Sequence, residues 1–419
     1  MQNLKKNNKF ITRINININF HAIKIIFFSF FKKKNYKQEF EKKFTGYVGS
    51  KNILFTGSGR SSLFLILRQI SKITNKKEIL ISPFTLTDVI NVIKYAGFVS
   101  KFIDIDIHSG LPKFLDKHIS KNTCAILVTH LFTSDKKFII FKKKVGNKLF
   151  IIEDAAINLG GKINGKSFFG TFSDYGFFSF GAAKNLCLIS GGAAYFKRNS
   201  DLEAAKKIYK NFLNYPSLDF FCKFIKVIAL KIFVSHYFLN LFSFKIIKSM
   251  YEKKNFFFKI FYPGLHPVFR NDIPSYCTYK ISRHCFEAGV YQIAREKKNI
   301  LFRQEKAMYY FSKLKKISKD KIYLFYQNKK TENCFIEYPI FLKNYDAQNL
   351  HNEFLRSNID LRFKWYIDNS IFNELNPKNL TYINSSLCEK KILCFPTHSE
   401  IRKFDIDYIL EKFIKLIEK

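Results

Sequence analysis

Two short runs, Cys124–Thr129 (CAILVT) and Leu149–Ile152 (LFII), are almost uninterrupted apolar sequence. Strands with one wet face alternate apolar and polar residues, whereas an unbroken apolar run suits a strand covered on both faces. Lys51–Phe55, Glu78–Ser82 and Ser100–Ile105 read as further strands, and Ser61–Ile73 and Thr87–Ala96 as helices. Strand and helix in alternation from Phe40 to Phe196 predict an α/β domain on a parallel or mostly parallel central sheet.

The rhythm then changes. Residues 205–262 crowd Phe and Lys into helical sequence. On one ideal helix, Lys223, Lys226, Lys231, Lys245 and Lys248 share a face, and Phe, Ile, Leu and Val cover most of the rest. Such a basic amphipathic helix suits peripheral contact with an anionic membrane. It equally suits an ordinary helix, or two, packing a broad apolar face on the protein. Both readings are open. Beyond Pro274, a long helical stretch (Tyr291 to Leu314), short strands such as Cys334–Phe341 and the helix Asp405–Glu418 describe a smaller α+β domain.

Near the start, Lys5, Lys6 and Lys9 precede an apolar run from Phe20 to Phe31. Lys24 breaks that run, no small-residue cleavage site follows, and the run is too short to span a bilayer. It reads as a segment that lies on a surface or docks, not as a cleaved signal. The expected organisation is an appendage (1–37), a large domain (38–204), an amphipathic insertion (205–262), and a helical connection with a small C-terminal domain (263–419).

The 419 residues hold 71 Lys and Arg against 33 Asp and Glu, a net charge of +38. Only eleven of the 71 are Arg, and Lys, Ile, Asn, Tyr and the 50 Phe are inflated together. That combination marks coding bias more than selection for a polyanion. Proteins that read nucleic acid lean on Arg, whose fork matches phosphates and guanine edges. Nucleic acid is therefore not the expected partner, although the charge favours anionic ligands and lipid surfaces. A 47% hydrophobic share excludes wholesale disorder. The eight cysteines form no CxxC pair, which removes zinc-ribbon and thioredoxin-like spacing and suits reduced thiols in the cytoplasm. No metal site is expected.

Three clusters carry chemistry. Thr56-Gly57-Ser58-Gly59-Arg60-Ser61-Ser62 joins a strand to a helix, where backbone N–H groups and the helix dipole can receive a phosphate. A dinucleotide fingerprint would need glycine where Ser62 stands. The turn is a simple phosphate cup or merely a tight turn. Glu153-Asp154-Ala155-Ala156 ends an apolar strand, placing two carboxylates at the sheet edge where α/β folds bind ligands. An N-cap aspartate would look the same. In Phe178-Ser179-Phe180-Gly181-Ala182-Ala183-Lys184-Asn185 a lysine sits among small and apolar residues, ahead of Ser190-Gly191-Gly192. Desolvation lowers a lysine's pKa and allows it to form a Schiff base.

A phosphate cup, a strand-end aspartate and a lysine about thirty residues later are the parts that pyridoxal phosphate requires. In that order the sequence resembles the DegT/DnrJ/StrS sugar aminotransferases of fold-type I. The segments that carry the resemblance are SGRSSLFLIL (58–67), FIDIDIHSG (102–110), AILVTHLF (125–132), EDAAINLGG (153–161), FFSFGAAKN (177–185), SGG (190–192), YPIFLKN (338–344) and CFPTH (394–398). The resemblance implies a fold-type I transferase: a large, mostly parallel sheet domain with a smaller α+β domain. It implies pyridoxal 5'-phosphate as cofactor. Lys184 would hold the cofactor and shuttle the proton, and Asp154 would pair with the pyridine nitrogen. Gly59, Arg60 and Ser179 would cradle the phosphate, and Ala156 would pack on the ring. The implied reaction moves an amino group from an amino acid, glutamate by analogy, to a nucleotide-linked keto-sugar for surface polysaccharide or glycoconjugate precursors. A cytoplasmic homodimer is implied too.

The sequence departs from the family pattern at several positions. Leu86 stands where an aromatic residue often stacks on the cofactor, Ile157 where Gln or His is usual, and Gly59-Arg60 where GT is usual. The asparagine that a partner subunit often supplies has no match near Val268–Arg270. These changes bear on substrate more than on cofactor. His130, ending an apolar strand, reads as packed and structural rather than as a general base. Trp365 with Arg362 reads as a substrate contact or as ordinary packing.

Overall fold

The computed structural model describes residues 10–418 except 14, 33–34, 133, 240–243, 254–271, 327–332 and 365. Seven strands form the large sheet: β1 (Ile53–Thr56), β2 (Glu78–Ile81), β3 (Val99–Phe102), β4 (Thr123–Thr129), β5 (Phe150–Asp154), β6 (Tyr175–Ser179) and β7 (Gly192–Phe196). Their order is β1-β7-β6-β5-β4-β2-β3. The neighbours from β6 to β3 are parallel, and β7 runs antiparallel to both β6 and β1. Every residue of β4 is buried. Ile126, Val128, Ile151 and Phe178 pack into one apolar core, while Ala125, Leu127, Ile152 and Phe177 pack into another on the opposite face. The unbroken apolar runs are thus strands feeding two cores.

The smaller domain is an antiparallel sheet of β8 (Ile322–Leu324), β9 (Glu337–Leu342), β10 (Arg362–Phe363) and β11 (Ile392–Pro396), ordered β8-β9-β11-β10. Its core includes Tyr338, Ile340, Leu393 and Phe395, with Ala307, Tyr310 and Leu314 from the long helix and Ile406 and Phe413 from the last one. The large mostly parallel sheet and the smaller α+β domain are as expected.

The described part of the first segment does not stand apart. Ile11 exchanges backbone hydrogen bonds with Asn358 and Asp360 of the small domain. Ile16 and Ile18 are buried in the large-domain core, as are Ala22 and Ile26 of helix α1 (Phe20–Ser29). Asn19 caps that helix, its side chain accepting from the Ala22 N–H at 2.6 Å. The segment's signal is the alternation Ile14-Asn15-Ile16-Asn17-Ile18-Asn19, the period of an extended strand.

The single basic helix also changes form. One helix, Ser217–Phe233, stops at Val234, and another runs over Phe244–Lys253, so no single helix carries the five lysines. Glycine and proline are both missing from the break, and the residue pattern gives no warning of it. Phe220, Phe224 and Val227 pack inward. Lys223 Nζ donates to Ser190 Oγ and Lys231 Nζ to the Ile16 carbonyl, each at 3.1 Å. The ammonium groups of two of the five lysines are therefore turned toward the protein. Among the described residues, no helix is long and apolar enough to cross a membrane.

Candidate active site

The C-terminal ends of β1, β5 and β6 lie on one edge of the large sheet. Paired registers put Thr56 opposite Gly192 and Gly192 opposite Ser179, while Thr129 pairs with Asp154 and Asp154 with Phe177. The helix Gly59–Ile73 starts at this edge. Ser58 is its N-cap, with Oγ accepting from the Ser61 N–H at 3.1 Å, and the first-turn N–H groups, which lack intrahelical acceptors, point outward with the positive end of the dipole.

Glycines make the cup possible. Gly191 has φ +114°, a region side chains rarely adopt. A Cβ on Gly192 would lie 2.5 Å from the Ser58 carbonyl carbon and 2.6 Å from the Gly59 nitrogen. One on Gly59 would lie 3.1 Å from Ser179 Cβ, so β6, β7 and the helix N-terminus touch here without side chains between them. Ser179 is half-buried, and its hydroxyl makes no hydrogen bond to the described residues.

The two strand-end carboxylates divide their work. Glu153 is fully buried. Its Oε2 accepts from His130 Nε2–H (2.8 Å) and the Gly170 N–H (2.9 Å), and its Oε1 from the N–H groups of Phe172 (3.0 Å) and Ser173 (2.6 Å). Four donors fill a carboxylate's capacity, which makes Glu153 the clamp of the 170–173 turn. His130 is packed between this carboxylate and the Phe138 and Phe169 rings, a structural position. Asp154 instead accepts only the Ala156 N–H, at 3.0 Å on Oδ1, and its Oδ2 makes no hydrogen bond to the described residues. Burial raises its pKa, while that N–H and the charge of Lys184 hold it down.

Lys184 follows the Gly181 turn, its N–H donating to the Gly181 carbonyl at 3.1 Å. The residue retains partial exposure, but its ammonium is desolvated enough to bring its pKa down to about 8; Asp154 opposes that shift, and Arg362 and Arg60 reinforce it. The expected residues Lys184, Asp154, Gly59 and Ser179 are therefore gathered at one edge, with half-buried Ala156 beside Asp154. Arg60 stands at the same helix N-terminus, with its side chain turned elsewhere. Its guanidinium pairs with Asp88 at 2.8 Å and lies over the Tyr276 ring at 4.9 Å, leaving its backbone, not its charge, to the cup.

The small domain adds what sequence reasoning left undecided. Glu337 Oε2 accepts from Arg362 Nε at 2.6 Å, and Arg362 is near enough to bear on the titration of Lys184. Buried Tyr366 in turn feels both Asp154 and Arg362. Ile367 pairs with Thr85, and Asn369 donates to the Pro83 and Thr85 carbonyls at 2.9 and 2.8 Å. This lacing ties Ile367 and Asn369 to the Pro83–Thr85 stretch, which half-buried Leu86 follows. The signal was a lone acid, Glu337, in an otherwise apolar strand, which calls for a cation. Trp365 and Val268–Arg270 lie outside the described residues.

A buried carboxylate with an idle oxygen, a depressed lysine and a side-chain-free cup with an idle hydroxyl fit pyridoxal phosphate. They match its ring nitrogen, aldehyde and phosphate respectively. Residues 20–215 match the DegT/DnrJ/EryC1/StrS aminotransferase family. This segment belongs to that family. The chain is 33% identical to the GDP-perosamine synthase of Escherichia coli O157:H7 over 164 residues, 38% of this chain and 44% of that protein. It is 29% identical over 182 residues to the UDP-N-acetyl-3-dehydro-alpha-D-glucosamine 3-aminotransferase of Acidithiobacillus ferrooxidans, 42% of this chain and 48% of that protein. The matches thus span less than half the length of these curated relatives. Among solved structures, the Helicobacter pylori aminotransferase PseC superposes with a TM-score of 0.72 at 16% identity, over 98% of this chain and 99% of that one. That likeness shows one shared fold over both domains.

Proposed function

We propose that the protein is a pyridoxal-phosphate-dependent sugar aminotransferase. It takes an amino group from an amino acid, glutamate in our reading, and places it on a nucleotide-linked keto-sugar destined for surface polysaccharide or glycoconjugate. The observation that carries this reading is Lys184, desolvated to a pKa of about 8 at the sheet edge where buried Asp154 is close enough to act on its charge. When bound, the cofactor supplies an electron sink. Asp154 holds the ring nitrogen protonated, and that proton relieves the cost of burying a carboxylate. Lys184, neutral in a good fraction near pH 8, accepts the proton from the donor's α-carbon and returns it on the other side of the transfer. Ser179 and the helix N-terminus hold the phosphate, and Ala156 leaves room for a flat ring. Arg362, fixed by Glu337, offers a cation for an anionic substrate group. A cytoplasmic homodimer completes the proposal.

The dehydratase branch of the family, in which histidine takes the lysine's place, is disfavoured by Lys184 itself. The test is to mix the protein with pyridoxal phosphate, trap the adduct with borohydride, and locate it by peptide mass. Transfer of 15N from glutamate is then followed across a panel of nucleotide keto-sugars. An adduct on Lys184 and 15N in one sugar product are expected. Failure to form any adduct would sink the reading. Salt-sensitive DNA retention without cofactor uptake would favour a basic binding protein instead.

A further inference from the structure

Lys223 lies beyond the family-matched segment, on the helix Ser217–Phe233. Its ammonium donates to Ser190 Oγ at 3.1 Å, and Ser190 Oγ donates to the Gly57 carbonyl at 2.9 Å. The Gly191 N–H bonds the same carbonyl at 2.9 Å. Gly57 opens the turn that Ser58 caps, so two hydrogen bonds link the ammonium to the wall of the cup.

The surroundings of this ammonium are unfavourable for a cation. Burial lowers its pKa, and the charge of Arg60 lowers it further; only the Cys285 and Cys187 thiols act the other way. Among the described residues no carboxylate lies within ion-pair distance, and Asp219, one turn earlier on the helix, does not pair with it. Arg60, the cation that bears on it, is paired with Asp88. Arg60 also bears on Lys184. A desolvated, unpaired ammonium costs folding free energy that a nearby dianion would offset.

We propose that Lys223 is a further phosphate-binding group of this site. It supplies to a phosphate monoester the charge that Arg60 gives to Asp88. The proposal rests on the cofactor reading above for the identity of the monoester. Pyridoxal phosphate and the diphosphate of a nucleotide sugar share this chemistry, and the position beside the Gly57 turn assigns Lys223 to the cofactor.

The test compares the full-length apo-protein with Lys223→Gln and Lys223→Arg. Affinity is measured for pyridoxal phosphate, for pyridoxal, which lacks the phosphate, and for GDP and UDP. Inorganic phosphate binding is followed by 31P line broadening, and thermal melts of the apo-proteins control for folding. Lys223→Gln should weaken pyridoxal phosphate and inorganic phosphate by about tenfold, leave pyridoxal unchanged, and raise or preserve the apo melting temperature. Lys223→Arg should restore most of the loss. Equal loss for pyridoxal and its phosphate, or no loss for either, overturns the proposal. A loss confined to GDP and UDP overturns the cofactor assignment. Should the wild type capture no pyridoxal phosphate, the functional reading fails, and inorganic phosphate still decides: unchanged affinity in Lys223→Gln overturns the role of Lys223.

Discussion

Asp154 at the end of β5 and Lys184 in the turn after β6 oppose each other's desolvation. Burial drives both toward their neutral forms, and the charge of each favours ionisation of the other. The pair is poised, with the lysine's pKa near 8. A single deprotonation can then make it a nucleophile under mild conditions.

Reaction of the apo-protein with pyridoxal phosphate should follow that pKa. The rate of adduct formation, read by visible absorbance in a stopped flow, is expected to rise with pH through about 8 and then level off. An ordinary lysine would keep rising toward 10.4, its reference value. Asp154→Asn removes the group that raises the Lys184 pKa, so the inflection should move to lower pH. An inflection that stays near the ordinary lysine value in the wild type would count against the desolvated site.

Much of this edge was legible in the sequence because strand ends fix it. An unbroken run such as Leu149–Ile152 must be covered on both faces, and the polar residues that close it can then lie only at the rim. Two other features were not legible from short-range pattern. Arg362 and Tyr366 reach the site only because Ile367 pairs with Thr85, a contact spanning most of the chain. The break at Val234 comes with no glycine or proline to announce it. The Ile–Asn alternation of residues 14–19 did carry a signal, but the more conspicuous apolar run at Phe20–Phe31 competed with it.

Glu153 and Asp154 are neighbours with separable roles. Glu153→Gln replaces one acceptor oxygen with an amide that must face the Gly170 N–H on one side or the Phe172 and Ser173 N–H groups on the other. We expect a loss of about 3 kcal/mol of stability, read as a lower midpoint in urea. Asp154→Asn should cost far less stability and much more activity. Equal effects on stability would show that the division between clamp and cofactor partner is mistaken.

Gly192→Ala should disable the cup without touching a side chain of the site. The added Cβ meets the Ser58–Gly59 backbone at 2.5–2.6 Å, and backbone cannot swing aside as a flexible side chain can. A cost of about 1–3 kcal/mol is expected. Affinity for pyridoxal phosphate should fall more than affinity for pyridoxal, because the helix N-terminus is what moves. Gly97→Ala offers a control for glycine strain, since it has positive φ but open space around its Cβ position.

Asn17 carries the N-terminal segment into a buried polar cluster behind the site. Its side chain donates to Glu296 Oε2 at 3.3 Å and accepts from Asn299 Nδ2 at 3.3 Å, while its carbonyl accepts from Gln292 Nε2 at 2.8 Å. Burial lifts the Glu296 pKa to about 7, against the pull of Arg303 and the two asparagines. The folded pKa lies above the unfolded one. Between roughly pH 4.3 and 7 the folded state therefore holds a proton that the unfolded chain releases, and stability falls as pH rises through that window. The penalty is fully present above pH 7 and absent below the unfolded value. Glu296→Gln removes the titration, so its stability relative to wild type should improve by about 3 kcal/mol between pH 4 and 8. Urea midpoints of both proteins across that range check the sign: a gap that stays constant with pH, or closes as pH rises, would mean that Glu296 is ionised in the fold at all these values.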